Sequence, residues 1–161
     1  EEGTTHQIHG ITAGSYTGIR FNIGVPESIN NLTPNQFAPD SPFALDGEYW
    51  TSWGSYVFCK IEGKGDMNGD MIFDDPVMAL HLGSDEALRT LEFTKDFMIH
   101  AGAMHTLEFV IDVKKVFDNE GTIYDILGTT DGEANARIHK LTQMPRINEL
   151  CDNLVEAFEL Q

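Results

Sequence analysis

The sequence predicts an all-β domain, a β-sandwich with a long proline-rich loop and a C-terminal α-helix. Three observations carry this reading. Apolar residues alternate with polar ones in several segments, four of the six prolines crowd between Pro26 and Pro42, and the last stretch shifts to a helical period. Alternation matters because successive side chains of a strand point to opposite faces, so a period of two buries one face.

Ile19, Phe21, Ile23 and Val25 alternate with Arg20, Asn22 and Gly24, and Leu107, Phe109, Ile111 and Val113 alternate with Glu108, Val110, Asp112 and Lys114. Both segments read as strands. Tyr56 to Glu62 and Val77 to Leu82 are denser apolar runs suited to central strands, and Leu91 with Phe93 marks a further short one. Five such strands separated by turn signals point to a sandwich or barrel-like domain. From Pro26 to Gly47 the pattern stops, because proline lacks the ladder donor and fixes its own φ. A loop of this length either covers a site or wraps over one open end of the sandwich. Near the C-terminus, Ile147, Leu150, Cys151, Leu154, Val155 and Phe158 form one apolar stripe of a helix, with Pro145 as its first residue. Residues 132–141 read as another helical turn or two.

Composition narrows the function. The 161 residues carry 10 Lys and Arg against 26 Asp and Glu, a net charge of −16. That length fits one domain. So negative a surface repels phosphate backbones and anionic headgroups, which argues against nucleic-acid partners and electrostatic membrane docking. No apolar run is long enough to span a membrane as a helix. The absence of an initiator Met suggests a processed or truncated start. Cys59 and Cys151 are too few for a disulfide scaffold or a four-thiolate zinc site; two buried free thiols or one bridge remain as alternatives.

Among residues that could carry chemistry, Asp66-Met-Asn-Gly-Asp70 has oxygens at alternate positions, as a calcium loop requires. Met71 stands where that loop needs glycine, and Val77 where it needs a bidentate acid, whereas Asn68-Gly69 between two strand patterns is a strong hairpin signal. Calcium through Asp66, Asn68 and Asp70 is therefore the weaker reading. No nucleophile elbow, phosphate loop, dinucleotide fingerprint or His-Glu-x-x-His helix occurs, so an enzyme is not expected. Of the six histidines, His81 ends an apolar strand, where a buried imidazole needs a partner or a metal. His100 and His105, the latter opening the next strand, could add imidazoles. His6 and His9 lack a helix that would aim both at one ion, and His139 on the weak helical stretch reads as solvated. Trp50 and Trp53 fall in Glu48-Tyr-Trp-Thr-Ser-Trp-Gly-Ser-Tyr56, which by itself reads as core or interface.

Taken together, Gly14-Ser-Tyr-Thr-Gly-Ile-Arg-Phe-Asn-Ile-Gly-Val-Pro26, Asn30-Asn-Leu32, Gly47 to Gly63 and Leu80-His-Leu-Gly83 resemble, in order and spacing, the MbnP-like copper-binding proteins. Phe109-Val-Ile-Asp-Val-Lys-Lys-Val-Phe117 and the C-terminal helix fit as well, so the likeness runs from about Gly14 to the end. It implies a single domain over 1–161, short of the family's first strands, in an exported protein of the periplasm, outer membrane or cell surface, often a lipoprotein. It also implies copper as the cofactor, held without catalysis by histidine imidazoles and by kynurenine made from tryptophan by a partner dihaem peroxidase-like enzyme. Imidazole suits copper, and opening an indole exposes an aniline nitrogen and a carbonyl oxygen. Residue by residue, the family's His-x-Gly histidine falls on His81 and its first tryptophan on Trp50.

Two departures accompany the resemblance. Ser52 stands where the family places its second tryptophan, and a one-residue shift along a strand would turn Trp53 to the other face. A Trp-x-His pair is also lacking. Copper through His81, with His105 or His100, is the leading expectation. The rival is an accessory or interaction subunit of an outer-membrane or surface assembly that has lost the metal site.

Overall fold

The computed structural model describes residues 4–161. In chain order its strands are β1 (Gly14–Ile23), β2 (Tyr49–Trp50), β3 (Ser55–Lys64), β4 (Val77–Gly83), β5 (Arg89–Ile99), β6 (Phe109–Ile111), β7 (Asp118–Asn119), β8 (Thr122–Ile123), β9 (Thr129–Thr130), β10 (Glu133–Ala134), β11 (Arg137–Ile138) and β12 (Phe158–Leu160). The α-helices are α1 (Glu27–Asn30), α2 (Val113–Phe117) and α3 (Met144–Ala157).

The central sheet has four strands in the order β11-β4-β3-β2. β3 runs antiparallel to β4 and β2, whereas β11 joins β4 in parallel, Arg137 opposite Ala79 and Ile138 opposite Leu80. β1 and β5 form a separate antiparallel ribbon, and β12 pairs with β6. The ribbon meets the β6–β12 pair through aromatic rings. Phe21 lies 5.3 Å from Phe109 and 6.0 Å from Phe158, and Phe93 lies 5.3 Å from Phe109.

The expected single β-sandwich is not what forms. The described residues form a mixed β/α structure with five small sheets and a C-terminal helix. Strands stop early for identifiable reasons. The alternating run at 107–113 gives only the short β6, because the Asp112 side chain accepts a hydrogen bond from the Lys114 N–H and starts α2. Residues 132–141, expected to be helical, hold β10 and β11 instead, followed by a 3₁₀ turn over Leu141–Gln143. The segment around Leu91 and Phe93 belongs to a strand longer than expected, β5.

Elsewhere sequence and structure agree more closely. Between Val25 and Glu48 no sheet strand forms; α1 and three 3₁₀ turns occupy the stretch, two of those turns with proline in the first turn. α3 begins one residue before Pro145, and its face of Ile147, Leu150, Cys151, Leu154 and Ala157 is buried with Leu80, Leu82 and Ile138 of the central sheet. Each fully buried leucine or isoleucine there contributes roughly 1.5–3 kcal/mol of transfer free energy. Both cysteines are free thiols, Cys151 buried and Cys59 half-buried.

Candidate metal centre

His81 sits in the middle of the sheet because its neighbours demand it. Leu80 and Leu82 point to the α3 side and are fully buried, so His81 faces the other way. That opposite face is covered as well, leaving His81 only 8% exposed. The cover is aromatic. Trp50 lies edge-on at 4.7 Å from the His81 ring, and His139 stacks on it at 4.7 Å with 15° between the planes. Trp50 lies 5.5 Å from His139 and 4.8 Å from Trp53.

The register explains why these residues meet. Parallel pairing of Ile138 with Leu80 carries the next residue, His139, alongside His81. On the other flank Lys60 is opposite His81, and Glu62, two residues along the same face, is its diagonal neighbour. Glu62 Oε1 lies 2.7 Å from His81 Nε2. Nδ1 of the same ring is buried and has no hydrogen-bond partner; among the described residues only Ser55 Oγ shares that condition.

Trp53 joins the cluster despite the one-residue shift, because it does not lie on a strand. Residues 51–54 form a turn in which the Trp53 and Gly54 N–H groups both donate to the Trp50 carbonyl at 2.9 Å. The alternation rule holds only for extended backbone, so Trp53 folds back over Trp50, and its Nε1 donates to the His139 carbonyl at 3.2 Å. Gly83, two residues after His81, makes room for this packing. A Cβ there would lie 2.5 Å from the Tyr56 carbonyl oxygen and 3.3 Å from the Trp53 ring.

Electrostatics follow the contacts. The hydrogen bond from His81 holds the Glu62 carboxyl below its ordinary range. His139 is exposed as a residue, yet partial covering of its ring, helped by the charges of His81 and Arg137, holds its pKa below the usual imidazole value.

The other expected residues lie elsewhere. His105 is exposed and stacks on Phe97 of β5 at 5.0 Å, and His100 is exposed just past β5. Both lie in the connection between β5 and β6, outside any strand, so His105 does not open β6; neither is on the sheet that carries His81. His139, read from sequence as solvated on a weak helix, follows β11 and takes the place beside His81. The Asn68-Gly69 hairpin joins β3 to β4, but through the wide loop 65–76 and not a two-residue turn. Within it Asp66 accepts from the Gly69 and Met71 N–H groups, Asp70 accepts from the Ile72 N–H and the Asn68 side chain, and Asn68 Oδ1 accepts from the Asp70 N–H. These oxygens organise the loop backbone.

A family model described as MbnP matches residues 1–138. The chain belongs to the MbnP family. Membership makes it a non-catalytic, copper-associated protein of the cell envelope. The match covers His81, Trp50, Trp53 and Glu62 and ends one residue before His139, so α3 lies beyond it. No curated protein and no solved structure gives a significant match. No helix among the described residues is long and apolar enough to cross a membrane.

The donor set fits copper in kind, since two imidazoles, one of them with an orphaned buried nitrogen, are good borderline ligands. Its present arrangement is not a closed cage. Among the described residues no three His, Cys, Asp or Glu side chains are grouped to hold a metal ion. Parallel stacked rings cannot both direct an in-plane lone pair at one ion between them, so binding through both imidazoles requires one ring to turn. His139 is the exposed one, and His81 is held by Glu62.

Proposed function

We propose that this protein binds or delivers copper at the His81 cluster, with His81 as the fixed ligand, His139 as the second imidazole, and Trp50 and Trp53 walling the site. The observation that carries this is the buried, unpartnered Nδ1 of His81, because an orphaned polar atom in a covered position has a cost that a ligand would remove. His100 and His105 are set aside, since both are exposed in the β5–β6 connection and His105 stacks on Phe97 of a different sheet. The setting is the exported space of the cell envelope: periplasm, outer membrane or cell surface.

The test is metal analysis after loading purified protein with copper, beside His81→Ala and His139→Ala variants. Uptake by the native protein, abolished by His81→Ala and weakened by His139→Ala, is the expected result. Equal uptake by all three overturns the assignment. No uptake by any favours an interaction subunit that has lost the metal, a reading in keeping with the stacked rings.

Trp50 is the residue we assign for conversion to kynurenine by a dihaem peroxidase-like partner. Cleavage of the indole double bond takes two oxygen atoms from two equivalents of peroxide, each reduced to water by that enzyme, and hydrolysis then releases the former ring carbon as formate. The net loss of one carbon and gain of one oxygen is detected by intact mass of protein from its native host. An unmodified mass there removes the refinement and leaves the imidazole site standing.

A further inference from the structure

We propose that Glu62 fixes the tautomer of His81, placing the proton on Nε2 and leaving Nδ1 as the nitrogen presented to a ligand. The inference rests on the copper reading for its purpose, but its structural content is independent of any metal.

An ionised carboxylate can only accept a hydrogen bond. Glu62 Oε1 lies 2.7 Å from Nε2, so Nε2 must be the donor. In the neutral ring the proton is then absent from Nδ1, which is buried and bonded to nothing. Had Nδ1 carried the proton, a buried donor and a facing pair of acceptors would both be unsatisfied. The geometry of the sheet makes the contact dependable. Glu62 and His81 are diagonal neighbours on adjacent strands, with Lys60 directly opposite His81, so strand pairing itself sets the separation. Lys60 is turned away toward Glu48, to which it is ion-paired at 2.9 Å, and does not compete for the Glu62 oxygen. Carboxylates placed behind metal-binding histidines orient the ring and raise its basicity, and their loss typically weakens metal binding 10- to 100-fold.

Long-range ¹H–¹⁵N correlation NMR of the metal-free protein, at a pH where imidazole is neutral, reads the tautomer directly. The native protein should show His81 protonated at Nε2 alone. Glu62→Ala and Glu62→Leu should lose the exclusive Nε2–H form and show a detectable share of Nδ1–H, with the rest of the spectrum retained. A native Nδ1–H tautomer, or an unchanged tautomer in both folded variants, overturns the proposal. Titration with Cu(I), which is diamagnetic, then separates the two readings. A coordination shift at Nδ1, with affinity roughly 10- to 100-fold weaker in Glu62→Ala, supports both. Absence of any shift at His81 in a protein whose tautomer does follow Glu62 defeats the copper function and leaves the tautomer assignment standing.

Discussion

Gly83 ties a motif to its physical cause. In Leu80-His-Leu-Gly83 the histidine is the side chain of interest, but the glycine decides whether the sheet can close over it. A methyl group at position 83 would meet the Tyr56 carbonyl oxygen at 2.5 Å, the Val57 Cα at 3.0 Å and the Trp53 ring at 3.3 Å. Two of these are backbone atoms of the paired strand, which cannot swing aside as a side-chain tip could. Gly83→Ala should therefore destabilise the fold by about 1–3 kcal/mol, the usual range for overpacking, and displace Trp53. Urea unfolding measures the first effect and tryptophan fluorescence the second; a variant as stable as the parent, with the same emission, would show that β3 can yield. His81 was legible because it interrupts a dense apolar strand. His139 was not, because its place depends on a parallel pairing to β4 across more than fifty residues, and a two-residue strand leaves no periodic trace.

Elements meet the site through polar anchors as well as apolar packing. Asn30, at the end of α1, is almost fully buried, and its side chain joins two segments. Its Oδ1 accepts from the Tyr56 N–H at 2.8 Å and its Nδ2 donates to Asp85 Oδ1 at 2.7 Å. The proline-rich stretch is thus fastened to the start of β3, where the chain leaves the Trp50–Trp53 turn. Asn30→Ala leaves the buried Tyr56 N–H without a partner, whereas Asp85 can turn to water. Loss of about 1–3 kcal/mol is expected, the cost of one unsatisfied buried group, together with faster amide exchange at Tyr56. Unchanged exchange at Tyr56 would mean that another acceptor takes over. The long loop was visible in sequence through its prolines, and so was helix α3 through its stripe. How the strands divide among sheets was not, because alternation reports which face is buried and says nothing about the partner strand. Trp53 is the clearest case. The rule for strands turned it away from Trp50, but residues 51–54 form a turn, where that rule has no force.

Across the whole molecule, the pKa shifts of buried acidic groups share one sign above neutral pH. Burial pushes the Cys151 thiol from 9.0 up to about 12 and the Tyr124 hydroxyl from 10.0 up to about 12. Cys59 and Tyr56 are raised for the same first reason, and Lys115 is raised by its hydrogen bond to Glu159. Each of these groups keeps its proton longer in the folded chain than in the unfolded one. Between the ordinary value and the raised one, the unfolded state binds fewer protons, so the slope of unfolding free energy with pH is negative. The stability they contribute is complete below about pH 9 and drains away as pH climbs toward 12. Self-repulsion in a chain already at −16 acts in the same direction, and deprotonating its six lysines, while the arginines keep their charge, can only increase it. A series of urea midpoints from neutral to strongly alkaline pH should therefore show a plateau and then a decline. Cys151→Ala separates the causes: it removes the largest thiol shift while leaving the repulsion untouched, so its decline should be shallower than the parent's once the cost of the truncation is subtracted. Parallel declines in parent and variant would assign the alkaline loss to net charge and not to the buried thiol.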